Sequence, residues 1–306
     1  MAQLFCDVII KNTSSKNETR FWADAELNIL KAAVLYVYYG FPPEARNFGQ
    51  VYKLLTLNTE EELCSLFNML PNTHPAKYPY SIFRRAQESV RNDVVSGLGI
   101  RLQVFQNELI RQITGHNEID LTLPGKEKCA YFCITSDQDS TFDFLSSLFM
   151  SFVFIKLVRF ADEQEGSRLP VPVHILADEI ANGGCTIADL TKKISTIRSR
   201  RLSISCIFQN LPQMQNRYPD NQWQEIIGNC DTQLFLGCTD QLTAEFISDR
   251  SGDVSVDVSS KSKQLNTLRI TDYSPQYKET ASVGKRKLLT PDEVLRLPLD
   301  QALIIL

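Results

Sequence analysis

Apolar positions in the first 116 residues recur at helical spacing. From Phe21 to Tyr39, the residues Trp22, Ala25, Ile29, Ala32, Ala33 and Tyr36 fall on one stripe, and Gly40 with Pro42 and Pro43 predicts where that helix stops. Thr59 and Glu62 have the spacing of a capping box ahead of Leu63, Leu66, Phe67 and Leu70. Pro71, Pro75 and Pro79 predict a break in the chain. The helical pattern resumes from Ser81 to Thr114, with an interruption expected at Gly97 and Gly99. This stretch reads as a small all-helical domain.

Beyond about His116 the pattern changes. Cys129 to Ile134, Val171 to Ala177, Ser203 to Phe208, Gln233 to Gly237 and Ala302 to Leu306 are short apolar runs rich in β-formers. Their continuous apolarity predicts strands buried on both faces, as in a parallel sheet. Helices are expected between them, at Thr141 to Ala161, Thr186 to Arg200, Asn221 to Ile227 and Asp240 to Arg250. That alternation predicts an α/β sandwich with right-handed crossovers. Ser251 to Gly284 is polar and rich in Ser, Thr and Lys, which suggests an exposed strand or a mobile loop. Thr290, Pro291 and Glu293 combine an N-cap, a proline at the first helical position and an acidic third position.

Composition narrows the class. The chain has 306 residues, 32 Lys+Arg against 36 Asp+Glu, and a formal net charge of −4. Such a balance excludes a blanket cationic nucleic-acid binder. The first 116 residues carry 12 basic and 11 acidic side chains, so the acidic excess lies in the remainder. Eight cysteines without a CxxC pair, and no signal peptide, point to reduced thiols in a cytoplasmic protein. The best membrane-span candidate, Phe144 to Val158, is only 15 residues long and is interrupted by Ser146, Ser147, Ser151 and Lys156. It reads as a buried core helix, since a span needs about 20 apolar residues.

The sharpest chemical signal is Val173-His174-Ile175-Leu176-Ala177-Asp178-Glu179. An apolar strand ends in two carboxylates, where a parallel sheet opens its ligand crevice. Read as a Walker B segment, Asp178 holds Mg²⁺ through water and Glu179 polarises the water that attacks a γ-phosphate. The plainer alternative is a strand ending at a solvated acidic turn. No P-loop accompanies it. Around Gly125-Lys126 and Gly284-Lys285, Asp120 and Glu279 occupy the first-glycine position, and Glu127 and Arg286 stand where Ser or Thr should follow. The chain alone is therefore expected to bind ATP weakly or not at all. His74, His116 and His174 lack metal-type spacing, and His174 reads as a satisfied core residue. Lys192-Lys193, Arg198, Arg200-Arg201 and Lys285-Arg286-Lys287 are local basic clusters, read either as solvated faces or as groups a ring could gather around a pore.

Taken in order, these residues resemble the TraG-type coupling proteins of conjugative type IV secretion systems. The resemblance runs through Phe21-Trp22, Ala130 to Asp137 with Ser140 to Leu145, Leu176 to Glu179 with Asn182 and Gly184, and Thr196 to Arg200. It continues through Ile207 to Asn210 with Gln213, Asn229 to Gly237, Asp240, Thr243-Ala244, Gly252, and Lys287 to Val294 with Leu297-Pro298. The resemblance implies an α/β fold: a partial RecA-like P-loop NTPase motor core with an inserted all-α domain. Residues 17–116 would be the all-α domain, recognising relaxase, and residues 1–16 and 117–306 a motor domain with Walker B but no Walker A. It implies Asp178 and Glu179 as the Mg²⁺ and water-activating pair, Arg198 as a finger reaching a neighbour's nucleotide, and Gln209 as the γ-phosphate sensor. Arg200 or Arg201 could instead be the finger, or all three could pair with acids. Implied cofactors are ATP and Mg²⁺ in the full-length protein. Implied partners are relaxase and relaxosome proteins, single-stranded DNA, channel components and other copies in a hexamer. The parent would be anchored at the inner face of the cell membrane, with this chain a cytoplasmic fragment or engineered piece. The alternatives are a recognition module for secretion substrates without catalysis, and a DNA translocase of the FtsK or HerA type outside conjugation.

Overall fold

A computed structural model describes residues 2–13, 20–135, 143–180, 187–264 and 276–306. The chain divides into two compact units, residues 1–207 and 208–306. The first begins with α1 (Ala2–Thr13), α2 (Arg20–Gly40), α3 (Phe48–Thr56), α4 (Glu60–Met69), α5 (Lys77–Phe83), α6 (Glu88–Arg101) and α7 (Glu108–Ile113). Ile29, Ala32 and Ala33 of the expected α2 stripe are fully buried, beside Leu30, Leu55, Leu63, Phe67 and Leu98. Phe67 stacks on Tyr80 with ring centroids 5.0 Å apart. The core also takes in Cys6, Ile9 and Ile10 of α1. Thr59 and Glu62 form the capping box, the Thr59 amide donating to the Glu62 carboxylate at 2.8 Å.

The expected break stands at Pro71 and Pro75, between α4 and α5, but two other expected interruptions are absent. Pro79 sits inside α5, in the first turn, where its missing N–H would have had no intrahelical partner. α6 runs unbroken through Gly97 and Gly99, and the interruption falls later, in a 3-10 turn at Gln103–Gln106. Gly97 serves packing instead. A Cβ there would come within 2.9 Å of Glu26 Oε1, and Glu26 pairs with Arg101 at 2.6 Å, both side chains nearly buried.

After α8 (Leu123–Lys126), the run Cys129 to Ile134 forms no strand, against expectation. Phe132 is 87% and Ile134 93% exposed. β-propensity cannot form a strand without a neighbour to share its hydrogen bonds, and no strand among the described residues lies beside this run. α9 (Asp143–Asp162) is long and apolar enough to cross a membrane, by length and composition. In the fold it packs Met150, Phe154, Leu157 and Ala161 inward, and its Phe144, Leu145 and Leu148 lie against the helical core.

β1 (Val173–Ala177) and β2 (Leu202–Cys206) pair in parallel, with α10 (Leu190–Ile197) on the crossover between them. α10 starts at Leu190 rather than Thr186, which lies outside the described residues. The strands are not buried on both faces. Along β1, Ile175 and Ala177 are buried while His174 and Leu176 are exposed.

The second unit opens with α11 (Leu211–Arg217), a helix with no counterpart in the expected pattern, then α12 (Gln222–Gly228), β3 (Gln233–Phe235) and α13 (Gln241–Ser251). Ser251 to Gly284 turns out to hold most of an antiparallel ribbon, β4 (Asp253–Gln264) against β5 (Gln276–Lys287). α14 (Pro291–Leu295) follows, its start marked by the Thr290 amide donating to the Glu293 carboxylate at 2.9 Å. β6 (Leu303–Ile305) closes the chain and pairs antiparallel with β3, so the expected wholly parallel arrangement holds only for β1 and β2. Phe235 packs on Ala244, Ile247 and Val294, with Leu303 and Ile305 beside them.

Candidate functional site

The acidic pair follows the C-terminal end of β1. Pairing continues past the strand: the Ile207 amide donates to the Ala177 carbonyl at 2.9 Å, and the Ile180 amide to the Ile207 carbonyl at 3.0 Å. With Ile180 buried, these bonds hold residues 178–180 as a tight turn off the strand. Asp178 is exposed and Glu179 half-buried. Glu179 has φ of +52°, a left-handed conformation costing a residue with a Cβ about 1–2 kcal/mol. Such strain persists only where surrounding bonds determine the backbone, and it is common at reactive sites.

His174 is not a core residue, contrary to expectation; it lies on the exposed face of β1. Its Nδ1 is 2.8 Å from Ser203 Oγ and its Nε2 3.0 Å from Ser205 Oγ. Both ring nitrogens are thus engaged by β2. The register Val173↔Leu202 through Ala177↔Cys206 brings these serines to the histidine, and their period-two spacing is the signal in sequence that could have announced it.

Arg198 begins a 3-10 turn at the end of α10, with Leu190, Ile194 and Ile197 buried beneath that helix. It lies at the N-terminal end of β2, whereas Asp178 and Glu179 follow the C-terminal end of β1. Parallel pairing separates the two positions by roughly 17 Å of strand, so they do not meet within one chain. Arg200 pairs with Asp162 at 2.8 Å and also bonds the Thr196 carbonyl at 2.8 Å. That leaves it committed to its own chain. Arg201 is exposed and left-handed, with φ of +59°.

Gln209 belongs to the second unit. It is exposed, and its Oε1 accepts a hydrogen bond from Gln213 Nε2 at 3.1 Å. Asn210 caps α11, accepting from the Gln213 amide at 3.0 Å. Asp240 and Thr243 are structural: Asp240 accepts from the Thr243 amide at 2.8 Å, and the Thr243 hydroxyl accepts from the buried Leu211 amide at 3.0 Å. Asn182, Gly184 and Ser140 to Phe142 lie outside the described residues. Among the described residues no cluster of three or more His, Cys, Asp or Glu could hold a metal by itself. Asp178 and Glu179 nevertheless fit the protein half of a Mg²⁺-nucleotide site, because Mg²⁺ commonly takes only one or two carboxylates and the rest of its shell from water and phosphate.

A cleft of about 470 Å³ opens in the helical region, lined by Tyr52, Asn58, Glu60, Asn92, Ser96 and Gln103 among others. Burial works to raise the Glu60 carboxyl, but hydrogen bonds from Arg91 and Cys64 outweigh it and hold its pKa below the ordinary value.

Residues 172–299 match the family described as the TraM recognition site of TraD and TraG. No curated protein matches the sequence. Among solved structures, the bacterial conjugative coupling protein TrwBdeltaN70 in its unbound form is 14% identical, with a TM-score of 0.70, covering 99% of this chain and 65% of its own. The plasmid coupling protein TrwB with the ATP analogue ADPNP is 13% identical, covering 99% and 65% at a TM-score of 0.69. TrwB with ADP and Mg²⁺ is 13% identical, covering 99% and 64% at a TM-score of 0.65. At these identities the likeness is one of fold, and the chain spans less than two thirds of the length of the structures it matches.

Proposed function

We propose, for a chain that is TraG-like in sequence over residues 172–299 and TrwB-like in fold along nearly its whole length, that it supplies the acidic half of the nucleotide site in a conjugative coupling protein. The observation that carries this reading is the turn at the end of β1, where a strained Glu179 is held beside an exposed Asp178. Asp178 would hold a hydrated Mg²⁺, whose chemistry there would be to supply positive charge beside the phosphates. Glu179 accepts the proton of the attacking water. The phosphate cradle comes from outside these 306 residues, since neither Gly-Lys pair has the spacing of one.

Arg198, at the opposite end of the β1–β2 pair from Asp178 and Glu179, serves a neighbouring subunit in a ring, where a guanidinium offsets developing phosphoryl charge. Gln209 senses the γ-phosphate. Residues 17–116 recognise relaxase or relaxosome proteins, and residues 1–16 and 117–306 form the motor portion that drives single-stranded DNA towards the secretion channel.

The deciding experiment is ATP hydrolysis by the full-length assembled protein. Glu179→Gln is expected to lower DNA-stimulated turnover by at least about a hundredfold while nucleotide binding persists. Hydrolysis at the unmodified rate in that variant would overturn the assignment.

A further inference from the structure

The β4–β5 ribbon is unlike the rest of the molecule. Its two strands pair over 12 residues each, about 40 Å of extended chain, and both faces of its outer half lie in water. A two-stranded ribbon has little stability of its own in water. Its described residues carry six Lys or Arg against three Asp or Glu, within a chain whose net charge is −4.

The cations at the base are occupied. Lys285 pairs with Asp253 at 2.8 Å, Lys287 with Asp249 at 2.9 Å, and Arg286 with Glu293. Towards the tip the situation differs. Register places Lys261 opposite Glu279 and Lys263 opposite Tyr277 on one face, and Lys278 opposite Ser262 on the other. The Lys261–Glu279 pair spans 3.3 Å at a highly exposed position, where such pairs contribute little and salt screens them. Among the described residues Lys263 and Lys278 make no ion pair, and Lys263 Nζ lies 5.8 Å from the centre of the Tyr277 ring, itself 71% exposed.

We infer that the outer half of this ribbon, through Lys261, Lys263, Lys278 and Tyr277, contacts the backbone of a nucleic acid, an assignment that rests on the coupling-protein reading above. Ammonium groups and the neighbouring Ser and Thr hydroxyls are the groups that meet phosphate and sugar oxygens, and an exposed tyrosine offers a face on which a base can stack. A protein partner suits the surface less well. Interfaces between proteins centre on apolar and aromatic anchors, and among the described residues of the ribbon Tyr277 is the one aromatic.

The test is fluorescence anisotropy of the 306-residue chain with a labelled oligothymidine and, separately, a duplex of equal length, across a salt series. Replacing Lys261, Lys263 and Lys278 together by Ala should weaken binding about tenfold at low salt. It should also flatten the single-strand salt slope by about 2, near 0.7 for each phosphate no longer neutralised. Tyr277→Ala should weaken the single strand at least about fivefold and spare the duplex, and Tyr277→Phe should restore it. Equal losses on both nucleic acids for Tyr277→Ala would reject the stacking role. Unchanged affinity and slope in the triple variant, with an unchanged circular dichroism spectrum, would reject the ribbon and leave the coupling-protein reading to stand on Glu179. Absence of binding by the unmodified chain at low salt would also reject it. So would capture of an acidic peptide in place of the oligonucleotides, or self-association that the triple variant abolishes.

Discussion

In the helical region, buried residues of α2, α3, α4, α5 and α6 meet in one continuous cluster, whereas each of the short strand pairs covers one face and leaves the other open. β3 and β6 bury Phe235 on Ala244, Ile247 and Val294, while Leu234 and Ile304, directly opposite one another, are 61% and 65% exposed. β1 and β2 likewise bury Ile175 and expose Leu176. The contrast follows from where backbone hydrogen bonds are made. A helix satisfies its own amides and carbonyls and then needs only one apolar stripe covered. A strand depends on neighbours along both edges and on cover for both faces. The Cys129 to Ile134 run shows the limit of that dependence, since with no strand beside it among the described residues the segment is not a strand at all.

Substitutions can sharpen this contrast. The largest effect is expected at Phe67, 1% exposed and within ring contact of Tyr36 and Tyr80. Phe67→Ala should cost about 3–5 kcal/mol in denaturant unfolding, and a loss below about 1 kcal/mol would mean the helical core is far looser than its packing implies.

A smaller effect is expected at the start of α4, where Thr59→Ala should cost about 1 kcal/mol by the same measurement. The Thr59 amide and hydroxyl hold the Glu62 carboxyl below its ordinary value. A carboxyl lowered on folding stabilises fully above its unfolded pKa, here about 4.5, and loses that contribution as pH falls through the folded value. Glu62→Gln should therefore remove part of the acid sensitivity of the helical region, and an unchanged acid limb would count against the box.

The smallest effect is expected on the open sheet face. Leu234→Thr should change stability by no more than about 0.5 kcal/mol. A loss approaching that of Phe67→Ala would show that this face is covered in solution, and the contrast between the regions would dissolve.

How much of the fold is legible in the sequence varies with the range of the interactions involved. The α2 stripe, the Thr59–Glu62 box and the helix start at Thr290 depend on residues three or four apart, and all stand in the fold. Gly97 departs from its expected role because that role is set by Glu26, some seventy positions away, rather than by its neighbours. The carboxylates at the end of β1 could be found because an apolar run ending in two acids is itself a local pattern. Their distance from Arg198 could not, for it depends on β1 and β2 pairing in parallel with Val173 opposite Leu202. The clamp on His174 left only a faint local sign, the period-two spacing of Ser203 and Ser205, because those partners lie 29 and 31 positions downstream.

Local order therefore determined the helices, their caps, the apolar strand segments and the acidic pair, because periodicity and capping act within one or two turns of chain. Tertiary structure decided which apolar runs became strands, which faces remained open and which candidate residues share a site. Those outcomes depend on hydrogen-bonding partners and covering side chains supplied by distant positions, and composition does not reveal whether such partners arrive.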